Sequence, residues 1–167
     1  IQVRPDMTFR DWLDYWFENH AKPRLRQTTQ LSYGSWITNH LIPELGELPL
    51  NALNQSELQQ FFRRMKEGGR KANVGRFGPG MADRSVRTCY AVCRMALQQA
   101  VEEKLIRTNP AVGCKLPPAR SREMKVLTLE ELRRFLVQAG AEGMQELFLL
   151  ELATGLRRGE LLALRSG

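Results

Sequence analysis

Residues 82–104 read ADRSVRTCYAVCRMALQQAVEEK, which is the longest helical pattern in the chain. Apolar side chains recur along it at helical spacing and predict one buried face, made of Val86, Tyr90, Cys93, Leu97, Ala100 and Val101. Arg84, Arg87 and Arg94 stand at i, i+3 and i+10, which at about 100° per residue keeps them within about one quadrant of the helix. That quadrant points away from the apolar face. The stretch therefore predicts a long core helix with a stripe of arginines on its solvent side.

The basic charge of the chain is concentrated around this stretch. The formal net charge is +7 over 167 residues, and the interval from Arg63 to Arg94 carries the whole excess as one basic patch, since it holds nine basic residues and two acidic ones. A basic patch beside an arginine stripe favours nucleic acid as the partner, because such a helix can follow phosphates or enter a major groove. A solvated face that serves only solubility is the alternative.

Two helices are predicted at the start of the chain. The first covers residues 8–20, with Thr8 as its expected N-cap, and Pro23 is expected to end it. The second begins near Thr28, and Pro43 is expected to stop it because proline has no N–H to give to a helix interior. The first pattern gives one apolar face, whereas the second helix has only a discontinuous apolar face, made of Leu31, Trp36, Ile37 and Leu41.

A third helix and a glycine-rich segment complete the part that precedes the long helix. Asn54 followed by Glu57 matches a capping box and predicts a helix at 55–67. Residues 68–80 read GGRKANVGRFGPG, and their glycine density predicts a flexible basic loop with no stable element. The loop lacks the pattern of a nucleotide-binding loop.

A proline-rich linker separates this region from a shorter second one. Thr128 with Glu131 predicts a capped helix, a further apolar helix covers about 143–153, and a last helix starts near Arg157. No stretch has a convincing strand pattern. The sequence therefore predicts an all-α chain in two parts.

Cysteine usage and hydropathy exclude several classes of protein. Cys89, Cys93 and Cys114 form neither a secreted disulfide framework nor a zinc ligand set, and we expect them to be small core residues in a reducing, cytoplasmic environment. The sequence contains no run of about 18 apolar residues, so no membrane span is predicted, and the N-terminus does not resemble a signal peptide. The chain begins with Ile1 instead of Met, so we expect it to come from a longer protein. Neither a metal nor a cofactor is predicted.

Residues 154–164 read TGLRRGELLAL, which resembles the T-G-x-R-x-x-E-x-x-x-L box of the tyrosine recombinase (phage integrase) family, of the mobile-element type. Three upstream segments are similar to the same family in order and spacing: 28–46 (TTQLSYGSWITNHLIPELG), 100–111 (AVEEKLIRTNPA) and 127–132 (LTLEEL). Each match is short, and their joint occurrence across nearly the whole chain carries the resemblance.

The resemblance implies an all-α fold: a four-to-five-helix SAM-like core-binding domain at 1–116, a linker at 117–126, and the first helices of a truncated catalytic domain at 127–167. The family cleaves DNA through a phosphotyrosine link without a metal. In it Arg157 would hold the transition-state phosphate, because a guanidinium offers phosphate oxygens a fixed fork of donors, and Glu160 would support that arginine. The family's later catalytic lysine, H-x-x-R box and nucleophilic tyrosine have no counterpart in this sequence. The chain is therefore expected to bind DNA within site-specific recombination, but not to cleave it.

In the family the second and fourth helices face DNA, and the resemblance transfers that role to specific residues. The predicted partner is double-stranded DNA at a recombination site, on which the protein could form homo-oligomers. N-capping is the alternative role for Thr28 and Thr29, and core packing is the alternative for Tyr33. The residues expected to contact DNA are Arg24, Arg26, Thr28, Thr29, Tyr33, Lys71, Arg76, Arg84, Ser85, Arg87, Arg94 and Lys125.

Two other functions fit the composition. One is a non-enzymatic helical DNA-binding regulator, although the thirteen-residue glycine-rich loop before the long helix is far longer than the turn of a helix-turn-helix motif. The other is a protein-interaction module whose apolar faces bind a partner.

Overall fold

A computed structural model describes residues 7–118 and 123–164 of the chain. The chain divides into two compact units, Ile1–Arg120 and Ser121–Gly167, and the division falls inside the predicted linker at 117–126. The described residues contain helices and no strand beyond an isolated bridge between Thr8 and Pro49. The predicted all-α fold is confirmed. No described helix is long and apolar enough to cross a membrane.

The first unit begins with two helices that each continue into a π-helical turn. Helix α1 (Phe9–Trp16) runs into a π turn at Phe17–Ala21 and a 3₁₀ turn at Lys22–Arg24. Helix α2 (Gln27–Trp36) runs into a π turn at Ile37–Leu41 and then into α3 (Ile42–Leu45). The prediction that Pro43 stops the second helix is therefore wrong, and helical turns also continue through Pro23.

The two prolines are accommodated because each follows a π turn and enters at the start of the next segment, where a missing N–H costs little. The same short sequence precedes both. Residues 16–23 and 36–43 share the pattern W-x-x-N-H-x-x-P. Each copy of this repeat coincides with one of the two π turns.

Three further helices complete the first unit: α4 (Gln55–Gly68), α5 (Val74–Phe77) and α6 (Asp83–Glu102). The predicted capping box forms at Asn54, and Thr8, which was predicted as a simple N-cap, also forms a capping box with Asp11. The expectation of no stable element in 68–80 is wrong, because α5 is a helical turn. It begins after Asn73 and ends before Gly78, and both flanking residues adopt left-handed backbone conformations.

Helix α6 is the centre of the core. Its side chains from Val86 to Ala100 meet those of α1 and α4, and the indole Nε1 of Trp12 donates a buried hydrogen bond of 2.9 Å to the carbonyl of Ala96. The ring of Phe62 on α4 packs edge-on against Tyr90, with centroids 5.6 Å apart. Seven α6 residues are buried: Val86, Cys89, Val92, Cys93, Ala96, Leu97 and Ala100.

The segment that follows α6 is held on the first unit by polar side chains. Asn109 donates from Nδ2 to the carbonyl of Arg94 (3.0 Å) and accepts at Oδ1 from the amide of Ala111 (3.0 Å). Gln59 of α4 exchanges two hydrogen bonds with the backbone of Lys115, at 2.9 and 2.6 Å. The Asn109-Pro110-Ala111 sequence thus holds the segment after α6 against that helix.

The second unit contains α7 (Leu129–Ala141), α8 (Gln145–Thr154) and α9 (Arg158–Leu161). Thr128 and Glu131 form the predicted capping box, whose hydrogen bonds from the backbone and hydroxyl of Thr128 lower the pKa of Glu131. The rings of Phe135 and Phe148 pack edge to face, with centroids 4.8 Å apart. Helix α8 buries none of its residues.

Candidate nucleic-acid interface

The arginine stripe of α6 lies where the sequence predicts it. Arg84, Arg87 and Arg94 are all exposed and stand opposite the buried face of the helix. Ser85 is half-buried beside them. Arg87 also donates from Nη1 to the carbonyl of Pro117 at 2.7 Å, so its guanidinium partly serves to hold the end of the first unit. The stripe therefore offers two freely exposed guanidiniums and one that is anchored.

The start of α2 carries the second set of predicted contacts. Arg26 occupies the N-cap position and provides no side-chain cap, so the alternative in which Thr28 or Thr29 caps this helix is wrong. Thr28 is exposed in the first turn and Thr29 is half-buried. Because Arg26 is the N-cap residue, Thr28 and Thr29 are the second and third residues of the helix, and their hydroxyls cannot take the capping position. Arg24, on the preceding 3₁₀ turn, is exposed.

A groove of about 390 Å³ lies between the turns that follow α1 and the last turns of α6. Arg24 and Tyr33 line one side of it, and Gln98 and Glu102 line the other. At about 100° per residue, Gln98 and Glu102 continue the angular position of Arg84, Arg87 and Arg94 along the helix. The groove thus brings Arg24 and Tyr33 close to the C-terminal end of α6, whereas Arg26, Thr28 and Thr29 do not line it. Tyr33 packs partly against the core, so the core-packing alternative describes part of its side chain.

Gln98 is a polar residue of this face that the sequence reasoning missed. It stands four residues after Arg94, which is the signal that could have found it. Its side chain is exposed, and its Oε1 accepts from Asn109 Nδ2 at 3.3 Å. The carboxylate of Glu102 at the same end places a negative charge beside the basic face.

The basic residues between Arg63 and Arg94 do not form one patch, contrary to the prediction. Arg63 is exposed on the side of α4 opposite its buried residues, whereas that buried side meets α6. Arg64 pairs with Glu44 at 2.9 Å, and Lys66 forms an ion pair with Asp83. Helix packing divides a charge cluster that is continuous only in sequence.

The remaining basic residues of that interval lie on the glycine-rich segment. Lys71 and Arg76 are exposed. The guanidinium carbon atoms of Arg70 and Arg76 lie 5.4 and 5.1 Å from the centroid of the Phe77 ring. Burial lowers the pKa of His40, and the positive charge of Lys71 lowers it further. The negative charge of Glu44 acts in the opposite direction and raises it.

The second unit carries the T-G-x-R-x-x-E box and one predicted phosphate contact. Lys125 is exposed in the segment before α7. Arg157 caps α9, and the Oε2 of Glu160 accepts from its backbone N–H at 2.9 Å while Oε1 lies 3.5 Å from Nη1. Gly155 ends α8 with a φ of 66°, which explains the glycine of the box. The guanidinium of Arg157 is 88% exposed, so it is available to an anion.

Comparisons with known proteins identify the family and the fold of the chain. A family model described as phage integrase, N-terminal SAM-like domain, matches residues 8–66. The solution structure of the phage integrase SAM-like domain from Moorella thermoacetica is 30% identical, and the match covers 72% of this chain and 95% of that domain with a TM-score of 0.51. An integrase of Saccharopolyspora erythraea is 31% identical over 161 residues, which cover 95% of this chain and 34% of that protein.

One solved structure resembles both units. The Tn1549 transposon integrase in complex with circular intermediate DNA has a TM-score of 0.74 and 21% identity, over 96% of this chain and 50% of that one. At that identity the likeness shows the fold alone. The chain spans about a third of the length of the Saccharopolyspora erythraea integrase.

Proposed function

Because the chain belongs to the tyrosine recombinase (phage integrase) family, we propose that its first unit, with the core-binding domain at 1–116, binds duplex DNA at a recombination site. The DNA-facing surface is the arginine face of α6 together with the start of α2. The observation that carries the proposal is the exposure of Arg84, Arg87 and Arg94 on the side of α6 opposite the core. A solubilising surface does not need three arginines on one line beside a groove.

The dimensions of the stripe suit a duplex. Ten residues separate Arg84 from Arg94, which is about 15 Å along a helix at 1.5 Å per residue. The major groove is about 12 Å wide, so the first and last arginine can reach phosphates on its two sides. Arg24, Arg26 and Thr28 add donors at the start of α2. Lys71, Arg76 and Lys125 are proposed as additional phosphate contacts.

The second unit supplies one part of a catalytic site. We propose that Arg157 contacts the scissile phosphate in the complete enzyme, and that Glu160 positions it through the two contacts described above. A guanidinium beside the phosphate stabilises charge on the transferring phosphoryl group, but it provides no nucleophile. Tyr15, Tyr33 and Tyr90 are half-buried on core helices of the first unit, so none is placed to attack. The chain is therefore proposed to bind DNA without cleaving it.

The test uses the full chain of 167 residues. Labelled duplex DNA should shift in a native gel, and the shift should weaken as salt rises, because binding by arginines releases counterions. After denaturation in detergent, no covalent protein–DNA adduct should remain. The absence of a salt-sensitive shift refutes DNA binding by this chain, and a covalent adduct refutes the proposal that it cannot cleave. Assembly into homo-oligomers on DNA and a cytoplasmic location stay predictions.

A further inference from the structure

The glycine-rich segment between α4 and α6 has a packed base and an open tip. A Cβ added to Gly80 would lie 2.4 Å from the carbonyl oxygen of Lys66, and one added to Gly69 would lie 2.7 Å from that of Met65. These two glycines let the base of the loop press on the end of α4. Around Gly75 and Gly78, in contrast, no heavy atom lies within 4 Å of the added Cβ. The tip therefore stands away from the body of the first unit.

The base is closed by hydrogen bonds, so the tip is held in position. The backbone amide of Arg70 donates to the carbonyl of Pro79 at 2.9 Å, and the side-chain Nε of Arg70 donates to the carbonyl of Gly80 at 3.1 Å. The amide of Met81 donates to the carbonyl of Met65 at 3.3 Å. A loop that is closed at its base loses less conformational freedom on binding than an open one.

Phe77 occupies the tip. Its side chain is 58% exposed, and it is the one exposed aromatic residue in the described part of the first unit, residues 7–118. The guanidiniums of Arg70 and Arg76 lie against its ring. Residues 68–82 hold three basic side chains and no acidic one. The tip of the loop thus carries an exposed apolar ring with two cations beside it.

We propose that Phe77 is a wedge that enters the minor groove of duplex DNA and partly unstacks a base step, while Arg70 and Arg76 contact the flanking phosphates. The proposal rests on the DNA binding proposed above and adds a second contact with a different chemistry. Proteins that kink DNA from the minor groove insert an apolar side chain between bases and flank it with cations. The guanidinium–ring contacts keep both cations next to the inserted ring.

The charge of the tip favours DNA over a protein partner. Two guanidiniums lie against this ring, and residues 68–82 contain no acidic side chain that would balance their charge. A polyanion with flat, stackable bases satisfies both the ring and the cations. Capture of a protein through Phe77 is the competing outcome in the experiment below.

The experiment measures DNA bending by energy transfer between dyes at the two ends of a duplex. The probe is a duplex of about 20 base pairs, about 68 Å long at 3.4 Å per base pair, selected from a random pool by the unmodified chain and centred on its footprint. A central kink of about 60°, within the range of about 20–90° that wedges produce, brings the ends to about 59 Å. Because the two dyes come closer together, binding of the unmodified chain should raise the energy transfer between them.

Phe77→Ala should abolish the bend and weaken binding roughly tenfold, because the apolar contact is lost, while the salt dependence stays the same. Phe77→Leu should keep the bend, since leucine also acts as a wedge. Val112→Ala is the matched control, because Val112 is 60% exposed on the same unit but lies outside the loop. Thermal unfolding should be unchanged in all three variants, since neither side chain is in the core.

The outcomes separate the wedge from the proposed function. A duplex that the unmodified chain binds and does not bend, or that Phe77→Ala bends equally, overturns the wedge and leaves DNA binding in place. Failure of the unmodified chain to bind any duplex overturns both. Unaltered DNA binding and bending in Phe77→Ala, together with loss of a co-purifying protein, would assign the residue to a protein interface instead.

Discussion

The arginine face of α6 makes a quantitative prediction about salt dependence. The perturbation is the double substitution Arg84→Ala with Arg94→Ala. These two residues are chosen because Arg87 also donates to the carbonyl of Pro117, so its removal would disturb the end of the first unit. Both chosen side chains are exposed and lie opposite the buried face of the helix, and the fold should therefore tolerate their loss.

The expected magnitude follows from the number of phosphate contacts removed. Each contact contributes about 0.9 to the slope of log affinity against log salt, so the loss of two lowers the slope by about 1.8. Extrapolated to a reference of about 1 M salt, where the contacts contribute nothing, the affinity at about 0.1 M falls by about 60-fold. That factor corresponds to about 2.4 kcal/mol of binding free energy.

The measurement is fluorescence anisotropy of a labelled duplex, titrated with protein at a series of salt concentrations. The matched control is Arg63→Ala with Arg107→Ala, which removes the same formal charge. Arg63 is exposed on the far side of α4, and Arg107 is exposed beyond the end of α6. The control should change the slope by less than about 0.45, which is half of the contribution of one phosphate contact.

Two results would refute the reasoning. An unchanged slope in the Arg84 and Arg94 variant removes α6 from the interface, whatever the change in affinity. An equal fall in slope for the control pair means that the chain attracts DNA by net charge alone, without an oriented face.

Two further predictions concern groups whose pKa values are shifted. The folded-state pKa of His40 lies below its ordinary value of 6.5, so its contribution to stability is complete above pH 6.5 and is lost as the pH falls through the folded-state pKa. His40→Gln should therefore make the free energy of unfolding depend less on pH in that window. An unchanged pH dependence in urea titrations would contradict this. Burial raises the pKa of Cys89 to about 12, raises that of Cys93 well above its ordinary value, and also raises that of the part-buried Cys114. At mildly alkaline pH a thiol reagent should therefore modify Cys114 slowly and the other two only on unfolding. Rapid modification of two thiols in the folded protein would contradict the packing of α6.

The features predicted well from the sequence are those that local chemistry decides. Thr8, Asn54 and Thr128 each stand three residues before an acidic side chain, and all three form capping boxes because both partners lie within one turn. The stripe of α6 follows from helical period alone. Arg157 and Glu160 meet for the same reason, since i and i+3 are neighbours on a helix.

The features that were missed depend on which surfaces meet in space. Nothing local indicates that α4 turns Arg63 away from α6, or that Arg64 finds Glu44 from another helix. The single turn α5 is hidden by the glycines around it, because composition averages over a segment that has a rigid base and an exposed tip. The π turns did have a sequence signal, the repeated W-x-x-N-H-x-x-P, but recognising it requires comparison of the chain with itself.

The two units differ in how completely they bury their apolar surface, and this difference bears on which function the chain can express. The first unit closes its own core around α6, and Asn109 holds its end in place, so the surface proposed to face DNA is supported by a complete core. Helix α8 of the second unit exposes Leu149, Leu150 and Leu152 and buries no residue, although most of its side chains are apolar, a pattern typical of a helix that packs in the interior of a larger domain. The Arg157 box follows directly on that helix. A phosphate contact at Arg157 therefore depends on packing that the described residues do not supply, whereas binding through α6 does not. The affinity of this chain for DNA should accordingly be determined by the first unit.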